Sequence, residues 1–449
     1  GKVFIQTYGC QMNENDTDKM FELLGTQNYT PASTMDEADL VLLNTCSVRD
    51  KAEQKVYSEL GRMRRLKKQN PNVKIGVGGC VAQQEGVKIL KRAENVDFVF
   101  GTDNLFELPE ILKETEKGAR PVQINRLAPR QKVRDFIPEF STSASNLPTL
   151  KAHLAITKGC NNYCSFCVVP LTRGTEVSRS PQNILEEATR LCDNGTREIC
   201  LLGQNVNSYK MPYKDRILRL SDLIEITSHI DGIERIRYTT SHPLDMTNDL
   251  IEAYQYIPQL VSQLHLPVQS GSNKILEKMK RNYTIDIFHD AVQRIKSFRP
   301  DLRVSSDFIV GFPGESHDDF METMDLVNEI EFDSSFSFIY SKRPGTPASK
   351  LEDKTPLEEK KERLKILQDR LNHFHRNHSK SMVGSIQRCL VTGIAKKRSD
   401  QLQARTECNR VVNFDLENIG FIGKLVDIEI TEALSYSLLG TLHNPRGKI

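Results

Sequence analysis

Along the first hundred residues, short apolar runs alternate with amphipathic stretches. "KVFIQTYGC" reads as a strand, and "ENDTDKMFELLGTQ" places Met20, Phe21, Leu23 and Leu24 on a helix. "ADLVLLNTC" is a second buried strand, followed by the helix "VRDKAEQKVYSELGRMRRLKKQ". "NVKIGVGGC" is a third, followed by helical "VAQQEGVKILKRA", and "VDFVFG" is a fourth. This alternation predicts a parallel sheet with helices on both faces over residues 1–118. Three of the strands end on a cysteine: Cys10, Cys46 and Cys80. Ligands of open parallel sheets sit at the carboxyl ends of the strands, so the topology would gather these thiols on one rim.

From Ala119 to Leu150 the periodicity stops, and Pro, Ser and basic residues suggest a linker or a covering segment. The rhythm returns over 151–376. "AHLAIT", "REICLLG", "RIRYTT", "QLHLPV", "LRVSSDFIVGF" and "DSSFSFIY" are six strand candidates with helical stretches between them. Six β/α units in this length predict a partial (β/α)6 barrel, whose active site would lie at the carboxyl ends of its strands. After the charged helix "TPLEEKKERLKILQDRLNHFHRNHSK", residues 379–446 break into short alternating runs that suit a small antiparallel β-barrel. The fold class is therefore α/β with a small β domain at the carboxyl end.

Composition changes this picture little. The chain is 38% hydrophobic and 27% charged, as globular proteins are, and no apolar run is long enough to span a bilayer. The amino-terminal stretch reads as a buried strand and not as a signal peptide, so the expected location is the cytoplasm. A net charge of +2 announces no nucleic-acid partner by itself, so local patches must carry that argument. "AKKRSD" interrupts the last barrel and is the better candidate for RNA. "GRMRRLKKQ" reads equally well as a solvated helix face.

The ten cysteines matter more, because clustered cytosolic thiols bind metal or react. "GCNNYCSFC" sets Cys160, Cys164 and Cys167 in a C-x3-C-x2-C pattern directly after the first barrel strand. A structural zinc takes four protein ligands, and an iron–sulfur cube normally takes four cysteines. Three ligands leave a position open for chemistry. Cys192, Cys200, Cys389 and Cys408 lie in apolar runs and read as core. His373, His375 and His378 do not share a helical face and read as a solvated helix end. "GFPGES" lacks the Lys-Ser/Thr ending of a phosphate loop.

The C-x3-C-x2-C loop resembles that of the radical S-adenosylmethionine (SAM) superfamily. "YGCQMN", "NTCSVRDKA", "GVGGC", "GCNNYCSFCVVP" with "RG", "HLPVQSGS", "MKRNYT" and "DFIVGFPGES" together resemble its methylthiotransferase family, and within it the tRNA-modifying branch. The resemblance covers the whole chain. It implies an amino-terminal methylthiotransferase domain, a central radical SAM barrel and a carboxy-terminal TRAM domain that grips RNA. It further implies two [4Fe–4S] clusters. One would be held by Cys160, Cys164 and Cys167 and would cleave SAM; the other, on Cys10, Cys46 and Cys80, would be the site of sulfur attachment.

The implied substrate is N6-isopentenyladenosine at position 37, beside the anticodon of a tRNA stem-loop, converted to its 2-methylthio derivative. The implied SAM contacts are Gln204 after the second barrel strand, Ser241 and His242 after the third, Gln269 and Ser270 after the fourth, Asp307 in the fifth, and Arg281 toward the SAM carboxylate. Implied partners are an electron donor such as flavodoxin or ferredoxin and a sulfur donor; the chain itself would act as a monomer. Thr175 departs from the basic residue common in the tRNA branch. Relatives that modify threonylcarbamoyladenosine or a ribosomal-protein aspartate are the nearest alternatives, and a non-catalytic iron–sulfur electron carrier is a distant one.

Overall fold

The computed structural model describes residues 1–47, 52–128, 149–416 and 418–443. The first unit contains β1 (Lys2–Thr7), α1 (Gln11–Thr26), β2 (Thr30–Pro31), β3 (Leu40–Thr45), α2 (Ala52–Gln69), β4 (Lys74–Gly79), α3 (Cys80–Glu85), α4 (Val87–Arg92), β5 (Phe98–Phe100), α5 (Leu108–Glu116) and β6 (Val122–Gln123). Its six strands are all parallel, in the order β2-β1-β3-β4-β5-β6. Side chains alternate across a strand, so Leu40 and Leu42 meet Met20, Leu23 and Leu24 of α1 on one face. On the other face Val41 and Leu43 meet Val56, Leu60 and Met63 of α2. With both faces covered, every residue of β3 is buried.

One expectation changes here. The segment from Ala119 does not open as a linker: Val122 and Gln123 add a sixth strand beside β5. A two-residue strand is too short to show alternation in sequence. The helix expected from Val48 is described from Ala52 onward, and most of the expected linker, 129–148, lies outside the described residues.

The second unit is the parallel barrel. Its strands β7 (Lys151–Ala155), β10 (Glu198–Leu202) and β13 (Arg235–Tyr238) pair in the order β13-β10-β7. Between the first two, β8 (Thr157–Lys158) and β9 (Val177–Ser178) form a short antiparallel clasp, and β11 (Lys210–Tyr213) with β12 (Arg216–Arg219) make a hairpin. Farther along, β14 (Gln263–His265) pairs with β15 (Arg303–Ser305), and β16 (Asp307–Val310) with β17 (Phe336–Ile339), both in parallel. Isolated parallel bridges from Ile236 to Leu260 and from Gln269 to Phe308 join these pieces. "LRVSSDFIVGF" is thus one strand interrupted at Ser306. No pairing among the described residues returns β17 to β7, so the barrel is open on that side.

The last unit is a closed barrel of β18 (Ile386–Ile394), β19 (Gln401–Arg405), β20 (Val411–Asp415), β21 (Leu425–Ala433) and β22 (Leu438–Leu442). Residues 444–446 of its expected span lie outside the described residues. It docks on the amino-terminal ends of the parallel strands. Arg235 donates to the carbonyls of Arg405 (2.9 Å) and Arg388 (2.6 Å), and Arg237 donates to that of Glu407 (2.8 Å). Arg410 grips Asp333 through two bonds of 2.6 and 2.7 Å, and His375 adds another at 2.8 Å. His373 is exposed, but His375 and His378 are not a free helix end, since His378 also bonds the Glu331 carbonyl (2.6 Å). Their partners lie about forty residues upstream, which helical spacing does not reveal.

Glu198 anchors this floor, with Lys151 at 3.2 Å, Arg237 at 3.1 Å and Arg235 at 3.7 Å. Burial would raise its carboxyl, but Arg237, Lys151 and Arg235 outweigh burial and hold it down from 4.5 to about 2. A depressed carboxylate stabilises the fold above its unfolded value and loses that contribution as pH falls through the folded one. Lowering the pH from about 4.5 toward 2 is thus expected to remove ~3 kcal/mol through this group alone. Unfolding midpoints of the wild type and Glu198→Gln, compared between pH 5 and 3, should converge as the pH drops; parallel curves would contradict the assignment.

Candidate functional site

Strands β1, β3 and β4 are neighbours in register, with Thr7 opposite Asn44 and Thr45 opposite Gly79. Their carboxyl ends therefore lie side by side. Cys10 follows β1 as the residue before α1, Cys46 follows β3, and Cys80 opens α3 after β4. Asn13 laces two of these loops by donating to the carbonyls of Tyr8 and Thr45, each at 2.9 Å. Asn44 returns a bond to the Asn13 carbonyl (2.8 Å). Gly9, at φ +115°, is dictated by proximity: a Cβ there would stand 2.2 Å from the Cys46 Cβ and 2.6 Å from its sulfur. Cys46 and Cys80 are buried, while Cys10 is open to the cavity described below. The Cys46 thiol donates to Cys10 and, helped by Arg173 against the effect of burial, brings Cys10 down from 9.0 to about 6.

The second trio sits at the carboxyl end of β7, in the loop held by the β8–β9 clasp. Gly159, at φ +80°, leaves no room for a side chain, since a Cβ would meet the Thr175 carbonyl at 2.2 Å. Its N–H donates to the Gln204 side-chain oxygen (2.6 Å), and the Cys160 N–H donates to the Gly174 carbonyl (3.2 Å). Ser165 ties the loop to the carbonyls of Met279 (2.9 Å) and Lys278 (2.8 Å). Burial pushes the Cys160 thiol up to about 11 and that of Cys167 to about 12.

Arg173 joins the two trios. It leaves the second loop after the short helix α6 (Val169–Thr172) and crosses into the first unit. There it donates to Asp16 (2.8 Å) and Asn13 (3.0 Å) while itself buried. Burial opposes its charge, yet Asp16, Cys80 and Cys10 outweigh that and keep it protonated. Around it, Lys19 pairs with Glu187 (2.6 Å), Thr102 donates to the Thr172 carbonyl (2.5 Å), and Met12 packs against Ala155, Val177, Cys200 and Leu202.

Between the units lies a cavity of about 630 Å³, within the ~300–1,000 Å³ usual for small-molecule sites. Cys10 and Cys46 line it from one side and Cys167 from the other, with Gln269, Asp307, Phe336 and Phe338 along the barrel and Asn409 near its floor. Among the described residues no three His, Cys, Asp or Glu side chains close on a single ion.

Other expected contacts are distributed unevenly. Gln269 and Asp307 face the cavity, whereas Gln204 braces the cysteine loop from outside it. Ser241 and His242 are buried, and the Ser241 hydroxyl and His242 Nε2 find no partner among the described residues. Ser270 is buried, and its hydroxyl accepts from the Ser272 N–H (3.1 Å). Arg281 does not line the cavity. It lies behind Cys164, donating to its sulfur (3.4 Å), to the Pro267 carbonyl (2.8 Å) and to the Tyr283 hydroxyl (3.2 Å). Cys200, read as core, is buried and also forms part of the cavity wall. Arg173 was visible in sequence only as the "RG" after the cysteine loop, with nothing to indicate its partners in α1.

Three family profiles match: uncharacterized protein family UPF0004 over residues 2–101, the radical SAM superfamily over 154–327, and the TRAM domain over 380–443. Among solved structures, a radical S-adenosylmethionine methyltransferase, TsrM, from Kitasatospora setae superposes with a TM-score of 0.57. That match has 12% identity and covers 78% of this chain and 77% of that one, a likeness of fold. The tRNA-2-methylthio-N(6)-dimethylallyladenosine synthase of Hahella chejuensis is 50% identical over 98% of both chains, and that of Chromohalobacter salexigens is 51% identical over 99% of both. With half its residues identical along nearly its full length, this chain belongs to the family of tRNA-2-methylthio-N(6)-dimethylallyladenosine synthases, enzymes of the radical SAM superfamily.

Proposed function

We propose that this chain installs a methylthio group on carbon 2 of N6-isopentenyladenosine beside the anticodon of tRNA. The observation that carries this reading is one cavity lined by cysteines from two separate trios, Cys10 and Cys46 facing Cys167. Each trio offers cysteine sulfur alone, the donor set suited to iron–sulfur groups, and each has the cavity beside it as an open side. Held by Cys160, Cys164 and Cys167, and by Cys10, Cys46 and Cys80, two [4Fe–4S] clusters would supply the electron that cleaves SAM to a 5′-deoxyadenosyl radical and the seat of the sulfur to be transferred.

A purine carbon 2 is neither acidic nor electrophilic enough for acid–base or nucleophilic chemistry, so a hydrogen-abstracting radical is required. The chain's task is placement and exclusion of water. Gln269 and Asp307 are positioned to bind SAM from the barrel wall, with the unpartnered Ser241 hydroxyl at the end of β13. Gln204 acts indirectly, by holding the loop of Cys160. The target adenosine must leave its stack to enter the cavity, and Phe336 and Phe338 offer it aromatic walls. Lys396 and Lys397, exposed between β18 and β19, are suited to the RNA backbone. An external electron donor such as flavodoxin or ferredoxin and a sulfur donor complete the reaction. The protein works as a cytoplasmic monomer.

Anaerobic incubation with SAM, a reductant and isopentenylated tRNA should yield 2-methylthio nucleoside by mass spectrometry; unmodified nucleoside with intact clusters would refute the proposal. Reconstituted protein should carry about eight irons per chain, four for each cube, and about four after the Cys10→Ala, Cys46→Ala and Cys80→Ala triple exchange. Cys164→Ala should abolish SAM cleavage. Cys46→Ala should retain cleavage but make no methylthio product, and product from that variant would overturn the division of roles.

A further inference from the structure

Six arginines of the described chain are buried, and five of them face a carboxylate. Arg173 pairs with Asp16 (2.8 Å), Arg179 with Glu187 (2.6 Å), Arg235 with Glu198 (3.7 Å), Arg363 with Glu315 (2.9 Å) and Arg410 with Asp333 (2.6 Å). Arg281 is the exception. Among the described residues no carboxylate pairs with it, and its Nη1 donates instead to the sulfur of Cys164 at 3.4 Å. A guanidinium removed from water without a counter-charge costs several kcal/mol, so this position is built to face negative charge that the protein's carboxylates do not provide.

The guanidinium is also fixed in direction. Nε donates to the Tyr283 hydroxyl (3.2 Å), which itself donates to the Val268 carbonyl (2.7 Å), and Nη2 donates to the Pro267 carbonyl (2.8 Å). Those carbonyls belong to the segment just after β14, so the barrel wall fixes the guanidinium whose Nη1 donates to Cys164. We propose that Arg281 is a positioning residue that raises the reduction potential of the [4Fe–4S] cluster on Cys160, Cys164 and Cys167, by a charge-assisted hydrogen bond to the Cys164 sulfur. It is thereby assigned to the cluster and not to the carboxylate of SAM. The inference rests on the ligand assignment proposed above.

The physical basis is electrostatic. A cube with three thiolate ligands is anionic, and reduction adds one more negative charge a few ångströms from Arg281. A fixed positive charge in a buried site favours the reduced form, and hydrogen bonds to ligand sulfur act in the same direction. Reduction is the step that SAM cleavage needs.

The test is a dithionite titration of the full chain, read by the EPR signal of the reduced cluster. It is done in the Cys10→Ala, Cys46→Ala, Cys80→Ala background so that a single cluster contributes. Adding Arg281→Gln should move the midpoint to more negative potential by at least a tenfold change in the one-electron equilibrium, about 59 mV. Arg281→Lys, which keeps the charge, should recover most of that shift. SAM affinity, measured by equilibrium dialysis, should stay within about threefold of the parent. An unchanged midpoint with weakened SAM binding would overturn the proposal in favour of a SAM contact, and unchanged values for both would leave Arg281 a structural role and overturn it too. Should Arg281→Gln fail to hold iron, Tyr283→Phe, which frees one anchor of the guanidinium, must shift the midpoint in the same direction, and no shift refutes the idea. Absence of the signal in the parent would instead sink the ligand assignment itself.

Discussion

The arrangement depends on one charge buried between two sheets. Arg173 comes from the loop that carries Cys160, Cys164 and Cys167, and it ends against Asp16 and Asn13 in the helix that begins after Cys10. Removing one partner of such a buried pair typically costs about 3–5 kcal/mol, because the other is left charged and dry. Asn13 is also the residue that ties the Tyr8 and Thr45 carbonyls together. A single guanidinium thus connects the frame of one cysteine set to the loop of the other. Reactive groups from two folding units must keep a fixed separation for radical chemistry, and a rigid polar link serves that end better than apolar contact, which has no direction.

Much of this was legible in the primary structure. Cys10, Cys46 and Cys80 each close an apolar run, and apolar runs alternating with amphipathic ones leave few topologies besides a parallel sheet. Once the strands are parallel and adjacent, their last residues must meet. The C-x3-C-x2-C loop was legible for a different reason: its spacing is local and owes nothing to tertiary structure.

What escaped was either short or distant. The two-residue strands Val122–Gln123 and Thr157–Lys158 have no room for a period. Arg173 and Asp16 are separated by 157 positions, and the grip of Arg410 on Asp333 spans 77. Neither leaves a trace in local composition. Arg281 was read from its charge as a partner for the SAM carboxylate, and nothing in the local sequence signals that the Pro267 carbonyl and Tyr283 hold its guanidinium. Sequence reports that a residue is basic; only packing reports which way it points. Two histidines of the long helix, His375 and His378, were misread because their partners belong to the barrel and not to the helix.

The docking of the last β-barrel has a further consequence. Its turn around Glu407 and Asn409 is held by Arg237, and Asn409 contributes to the wall of the same cavity that the cysteines line. The module that resembles an RNA grip is therefore also a stopper. Cutting it away would do more than weaken attachment to a polynucleotide: it would unseal the lower end of the vessel to bulk solvent, and would leave Arg235 and Arg237 without the carbonyls they now serve. One piece of chain thus both closes on the floor of the parallel barrel and completes the wall of the chamber, so a domain exchange at this end would also alter the chamber.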